Sequence, residues 1–118
     1  MRAYVHELSR GVIDFLLLHV INEMPRHGYQ IVKELGKRSQ GYFKFKSGTI
    51  YPALRRLEMA GLVTSRWQKV AERQWRRYYE ITESGCQALS NKMTEWQDFY
   101  NAVSKLMDLD AESTESNL

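Results

Sequence analysis

Leu89, Met93, Trp96, Tyr100, Val103 and Met107 follow one another at intervals of 4, 3, 4, 3 and 4 residues, and Phe99 and Leu106 widen the row. A 3.5-residue period held over about 3 heptads is an apolar seam along one long helix, of the kind that packs against another helix. The spacing predicts a helix from Glu83 to about Met107, capped by the Thr82 hydroxyl, with Glu83 in the first turn where a carboxylate suits the helix dipole. That helix constrains everything before it. A chain of 118 residues has room for one domain with one modest core. A long amphipathic helix at its end has too little of that domain to bury against, so dimerisation is the economical expectation.

Three shorter helical periods precede it. Leu8 to Met24 reads as a first helix, with Leu8, Val12, Phe15 or Leu16, and His19 or Val20 at helical spacing. Its stretch Val12 to Ile21 is apolar on more than one side, as expected of a helix buried both by its own domain and by a second subunit. Pro25 stops it. His27-Gly28-Tyr29 opens a second helix, with Tyr29, Val32 and Leu35 (or Ile31) on one face, and Gly36, Ser39 and Gly41 punctuate its end. Ser47 is the expected N-cap of a third, whose Ile50, Leu54 and Leu57 form the core stripe and whose stop is Gly61. Gly48, Pro52, Arg55, Arg56 and Met59 fall on the far side, with Pro52 tolerable in the first turn or so, where a missing amide costs least.

Leu62 to Lys69 and Gln74 to Thr82 are rich in Val, Thr, Trp, Tyr and Ile, and flank the polar loop Val70 to Arg73. They read as a β-hairpin, and the lack of an Asn-Gly or Gly-Gly pair predicts a turn longer than two residues. The expected fold is therefore mainly α with a small β-hairpin. Residues 1–82 form a winged helix-turn-helix, 83–107 a C-terminal dimerisation helix and 108–118 an acidic flexible tail.

Charge is unevenly spread. Between Lys37 and Arg77 stand eleven Lys and Arg against only Glu58 and Glu72, a net of 11 − 2 = +9, while the whole chain carries only +3. Beyond Met107 come Asp108, Asp110, Glu112 and Glu115 with no base. A middle this basic suits a nucleic-acid face or an acidic membrane surface; the plainer reading is a scattered solubilising surface. No apolar run approaches the ~20 residues of a membrane span. The first residues do not read as a signal peptide, and the single Cys86 cannot staple a secreted domain, so a cytoplasmic location is expected.

Three stretches in this order, "HGYQIVKEL" (His27 to Leu35), "GTIYPALRRLEMAGLV" (Gly48 to Val63) and "RRYYEITESG" (Arg76 to Gly85), resemble the PadR family of transcriptional regulators over roughly Leu8 to Met107. The single terminal helix is similar to the compact branch of that family. The resemblance implies a homodimeric repressor whose third helix enters the major groove of an inverted-repeat operator. It also implies a wing near the adjacent minor groove and a response to small aromatic or drug-like effectors. Compact relatives often carry glycines at the wing tip, where this chain has Ala71-Glu72-Arg73-Gln74.

The residues themselves give the candidate sites. Arg55 and Arg56 can bond guanine or hold phosphate, or serve only as surface charge paired to Glu58 or Glu34. The family motif assigns Ser47, Gly48, Thr49, Tyr51 and Pro52 to the leading end of the recognition helix. Lys44 and Lys46 suit phosphate clamps. Arg73 is the wing probe nearest the tip, and Arg76 and Arg77 alternate faces, so one reaches DNA while the other pairs with Glu80 or the start of the last helix. For the effector and the dimer, Trp96 is the sharpest candidate, with Leu89, Met93, Phe99, Tyr100 and Val103 beside it and Phe15, Leu18 and His19 on the other wall. The bland alternative for these aromatics is packed core.

His6, His19, His27 and Cys86 lack metal-ligand spacing, so no metal or cofactor is expected. His27 is expected to shape a helix start and Cys86 to be a small buried residue. No phosphate loop or nucleophile motif suggests an enzyme. The rival from another class is a winged-helix protein-interaction module with no DNA partner.

Overall fold

Residues 10–109 are described by a computed structural model. The order is α1 (Arg10–Glu23), β1 (Arg26–His27), α2 (Gly28–Arg38), α3 (Ser47–Met59), β2 (Val63–Ala71), β3 (Gln74–Ile81) and α4 (Glu83–Leu106). Four helices and a small antiparallel sheet ordered β1-β3-β2 make the expected winged helix. The expected start of α1 at Leu8 and most of the acidic tail lie outside the described residues.

One core holds the first three helices and the base of the wing. Leu17, Val20 and Ile21 of α1, Ile31 of α2, Ile50, Ala53, Leu54 and Leu57 of α3, and Val63 of β2 are sealed from solvent. Leu89 joins the same cluster, so α4 begins inside the core and leaves it farther along. On the polar side, Arg38 bonds both Glu23 and Glu34 and thereby fastens α2 to the end of α1. These hydrogen bonds hold both carboxyls below their ordinary range.

The strand β1 has no sequence signature, because two residues after a proline show no period. It exists because Arg26 and His27 pair with Tyr79 and Tyr78 of β3. His27 then caps α2 as expected. Its Nδ1 accepts from the Gln30 amide at 3.4 Å, and its own amide donates to Gln30 Oε1 at 3.0 Å, a capping box with an imidazole as cap. Gly28 makes room for Tyr51: a Cβ there would sit 2.6 Å from the end of the Tyr51 ring, which would have to swing aside.

Two expectations about α3 are corrected. The N-cap is Lys46, not Ser47: Lys46 is extended (φ −92°, ψ 156°), its carbonyl accepts from Thr49 and Ile50, and Ser47 is already helical. Starting there, the helix places Pro52 in its second turn rather than its first. The Gly48 carbonyl thus loses its i+4 amide partner. The stop is as read. Gly61 has φ +78°, its amide bonds the Glu58 carbonyl, and the Leu62 amide bonds that of Leu57, a Schellman closure.

Thr82 joins this stop to α4. Its hydroxyl donates to the Gly61 carbonyl at 2.7 Å and accepts from the Gly85 amide at 3.0 Å. Gly85 lies so close that a Cβ would run into the Leu62 carbonyl oxygen. The wing turn is also corrected. Ala71 pairs with Gln74, so only Glu72 and Arg73 form the loop. Neither has a positive φ, so this is not a primed turn; the register shift between Lys69 and Ala71 takes up the twist that glycines would otherwise supply.

Candidate nucleic-acid interface

The amphipathic period of α3 divides its free surface into three strips. Gly48, Pro52, Arg55 and Met59 share the outward strip and are all exposed. Nothing lies within 4 Å of a Cβ built on Gly48, so another molecule can approach the backbone there. Ser47 and Lys46 are exposed at the leading end of the helix, Lys44 is exposed just before it, and Thr49 is half-buried.

One flank faces α1. Arg56 donates to Asp14 Oδ1 at 3.0 Å, with both side chains about two-thirds covered. Burial pushes the Asp14 carboxyl above its ordinary value, and the Arg56 guanidinium pulls the other way. The two adjacent arginines are thus unlike: Arg55 stands in solvent, and Arg56 is drawn to α1 rather than to Glu58 or Glu34. The sequence offered no hint of Asp14, which is 42 residues away.

The other flank faces the wing. Tyr51 lies against Gly28, and Glu58 reaches across to β2 and β3. Glu58 accepts from the Ser65 hydroxyl at 2.7 Å and pairs with Arg77 at 3.5 Å, while Arg77 Nε donates to the Ser65 hydroxyl at 2.8 Å. Arg77 also sits 5.7 Å from the Trp67 ring. The expected partner Glu80 is taken by Arg66 instead, because Thr64↔Glu80 and Arg66↔Tyr78 pairing puts Arg66 and Glu80 on one face. Between α3 and β3 lies a groove of about 830 Å³ lined by Tyr51, Pro52, Arg55, Glu58, Met59, Arg77 and Tyr79, with Glu58 neutralised there by Arg77. Arg76 is half-buried in a neighbouring cleft, and Arg73 is exposed at the tip beside Glu72.

At the other end of the molecule, Trp96 stacks on Phe15 of α1 (5.8 Å between centroids, 12° between planes) and meets Phe99 edge-on at 5.9 Å. Trp96 and Phe99, but not Phe15, border a groove of about 460 Å³ lined also by Gly11, Val12, Lys92 and Glu95. The expected far wall is corrected. Leu18 is committed to the core, and His19 is exposed next to Glu23, so Gly11 and Val12 take their place. Trp96 remains 38% exposed, Phe99 60% and Tyr100 57%, and Met93 is exposed as well, whereas Leu89 is buried and Val103 half-buried. Cys86 is exposed rather than buried: it lies at the edge of the α4 strip that carries Gly85 and Leu89, with its thiol 3.7 Å from Asn22 Oδ1 of α1.

Comparison with known proteins bears on this arrangement. Residues 17–91 match the model of the transcriptional regulator PadR-like family. Transcriptional regulator Rv3488 of Mycobacterium tuberculosis is 33% identical over 86 residues, 73% of this chain and 77% of that protein. The crystal structure of a PadR family transcriptional regulator from Eggerthella lenta is 34% identical, with a TM-score of 0.73 over 86% of both chains. Bacillus subtilis PadR in complex with operator DNA is similar in fold (TM-score 0.65, 24% identity), over 70% of this chain and 47% of that one.

Proposed function

We propose, from the premise that this chain belongs to the PadR-like family of transcriptional regulators, that it is a homodimeric, sequence-specific DNA-binding repressor relieved by a small aromatic or drug-like effector. Working on a chromosomal operator, it would act in the cytoplasm. The observation that carries the reading is the outward strip of α3: a helix fully anchored on one side holds Gly48, Pro52, Arg55 and Met59 open on the other, beside a wing. Bacillus subtilis PadR, of the same fold, is seen with operator DNA.

In this reading the start of α3 enters the major groove, Gly48 lets the backbone come close, and Arg55 reads a base or holds a phosphate. Lys44, Lys46 and Ser47 contact the backbone at the helix entrance, with Thr49 and Tyr51 on its flanks. Arg73 and Arg76 serve the wing, while Arg77 fixes the wing against Glu58. Arg56 positions α3 through Asp14. A second copy covers the α4 row Met93, Trp96, Phe99, Tyr100, Val103, and the two-fold axis pairs two recognition helices on an inverted repeat, about 34 Å or a multiple apart. The groove bounded by Trp96 and Phe99 holds the effector between subunits.

The test is selection of genomic fragments by purified protein at two salt concentrations. An inverted-repeat site should be enriched, with a slope of log K against log salt of about −5 for six phosphates. Salt-insensitive capture of protein partners and no DNA would replace this reading with the interaction-module one.

A further inference from the structure

The wing carries two tryptophans that this reading leaves without a task. Ser65↔Tyr79, Trp67↔Arg77 and Lys69↔Trp75 are direct cross-strand pairs. Partners directly opposite, and residues two apart along a strand, share a face, so these six side chains stand on one side of the ribbon. That side is turned toward α3, because Tyr79 is buried at its base and Ser65 is bonded to Glu58. Farther out, the same side leaves Trp67 61% and Trp75 56% exposed.

Large indoles in water on a narrow ribbon are costly and prone to association. Here they are held in a particular setting. Trp67 and Trp75 line a cleft of about 320 Å³ with Tyr51, Arg76 and Arg77, and no carboxylate lines it. Tyr51, Arg77 and Tyr79 also line the groove between α3 and β3, so the two depressions adjoin; the Glu58 carboxylate that lines the second is paired with Arg77. Lys69 stands opposite Trp75 and Arg77 opposite Trp67, so apolar rings alternate with cations. The Arg77 guanidinium over Trp67, itself tied to Glu58 and Ser65, fixes that ring toward the cleft.

A polymer that alternates anionic groups with apolar C–H surface fits such a surface, and a sugar-phosphate strand is one. We propose that this wing face grips one strand of the bound duplex. Trp67 and Trp75 pack on deoxyribose faces, Lys69, exposed on the same face, holds an intervening phosphate, and Arg77 acts as a positioning residue for the ring of Trp67. The inference rests on the DNA-binding reading above and adds to it a contribution to affinity that salt does not screen, since ring packing releases no counterions.

The experiment uses the full chain and the duplex recovered in the selection, titrated at four salt concentrations. Trp67→Ala and Trp75→Ala should each weaken binding about 10-fold, the loss expected when roughly 55 Å² of apolar surface is no longer buried, with the salt slope unchanged. Lys69→Ala should flatten the slope by about 0.9. Should an alanine variant fail to fold by circular dichroism, the Trp67→Phe/Trp75→Phe protein provides a second readout: wild-type tryptophan emission should change on adding DNA, and that change should be largely lost in the double variant. Steep salt-dependent binding by the wild type, with both alanine variants within two-fold of it, would overturn the proposal and leave the regulator reading standing. So would tryptophan-to-alanine variants that flatten the slope as much as Lys69→Ala does. No binding by the wild type would remove the regulator reading and this inference together.

Discussion

Helices α3 and α4 are both amphipathic, and they treat their apolar sides in opposite ways. On α3 every apolar stripe residue, Ile50, Ala53, Leu54 and Leu57, is sealed within the same chain. On α4 Leu89 is in the core and Val103 is half-buried, but Met93, Trp96, Phe99 and Tyr100 between them stand in solvent, as does Leu106 at 86% exposure. An anchored helix can offer its other side to a ligand without risking its own fold. A helix with an open apolar row asks for a second surface. The comparison teaches that the two proposed partners, DNA and a second subunit, attach to elements with different internal support, so the two attachments should fail separately when mutated.

Leu54→Ala is the largest expected effect. Removing a fully buried leucine should cost about 3 kcal/mol of unfolding free energy, read by urea denaturation, and should abolish DNA binding only by unfolding the domain. Phe99→Glu comes next. At 60% exposure it should leave helix content intact, yet a charge buried without a partner at a dimer interface should weaken association by about 2 kcal/mol. Sedimentation at several concentrations reads this directly. A monomeric wild type, or a Phe99→Glu protein that loses its fold as Leu54→Ala does, would break the contrast between the helices.

Much of this contrast was legible in the chain. The periods of α1, α3 and α4, the Gly61 stop and the Thr82 cap come from residue types at local spacing, and local spacing is what a sequence displays. Ser47 looked like a cap because hydroxyls often are, but the cap is decided by where the backbone turns helical, and Lys46 holds that position. Similarly, β1 depends on a partner about fifty residues away. Arg55 and Arg56 looked alike since periodicity separates neighbours by only 100°; what distinguishes them is Asp14 on another helix. Leu18 suits the effector wall as well as the core on an α1 that is apolar on several sides, and only packing shows that it is buried. The Trp67 and Trp75 pair is legible as period-2 alternation along two strands, but that their face turns toward α3 depends on the Ser65–Glu58 bond, which no local spacing displays.

Arg55→Ala against Arg56→Ala sharpens the comparison on α3 itself. The first should lower DNA affinity by about 1 to 3 kcal/mol if a base is read, with no change in melting. The second should cost stability, about 1 kcal/mol or less because the pair is partly solvated, and should affect DNA binding only modestly. Asp14→Asn should resemble Arg56→Ala in both assays. If Arg56→Ala instead loses DNA as strongly as Arg55→Ala while Asp14→Asn does not, then Arg56 leaves Asp14 in the complex and both arginines face the groove.

The smallest effect expected comes from His27, which belongs to the self-supported half. Burial lowers its pKa from the ordinary value of 6.5, helped by the nearby Arg76, and its Nδ1 must stay unprotonated to accept from the Gln30 amide. A folded chain that resists a proton is penalised as soon as the unfolded chain can take one. Stability therefore holds above about pH 6.5 and declines as pH falls through that value toward the lowered folded pKa, at less than about 1.4 kcal/mol per pH unit. Melting at pH 8 and pH 5.5 should show a modest drop, and His27→Asn, which can cap α2 without titrating in this range, should flatten it. The α4 row has no titrating counterpart among Met93, Trp96, Phe99 and Leu106, so association should change less over the same interval. Dimer dissociation that tracks pH as steeply as melting would mean that His27, or the β1–β3 pairing it sits in, is coupled to α4, and that the two halves are less independent than their burial suggests.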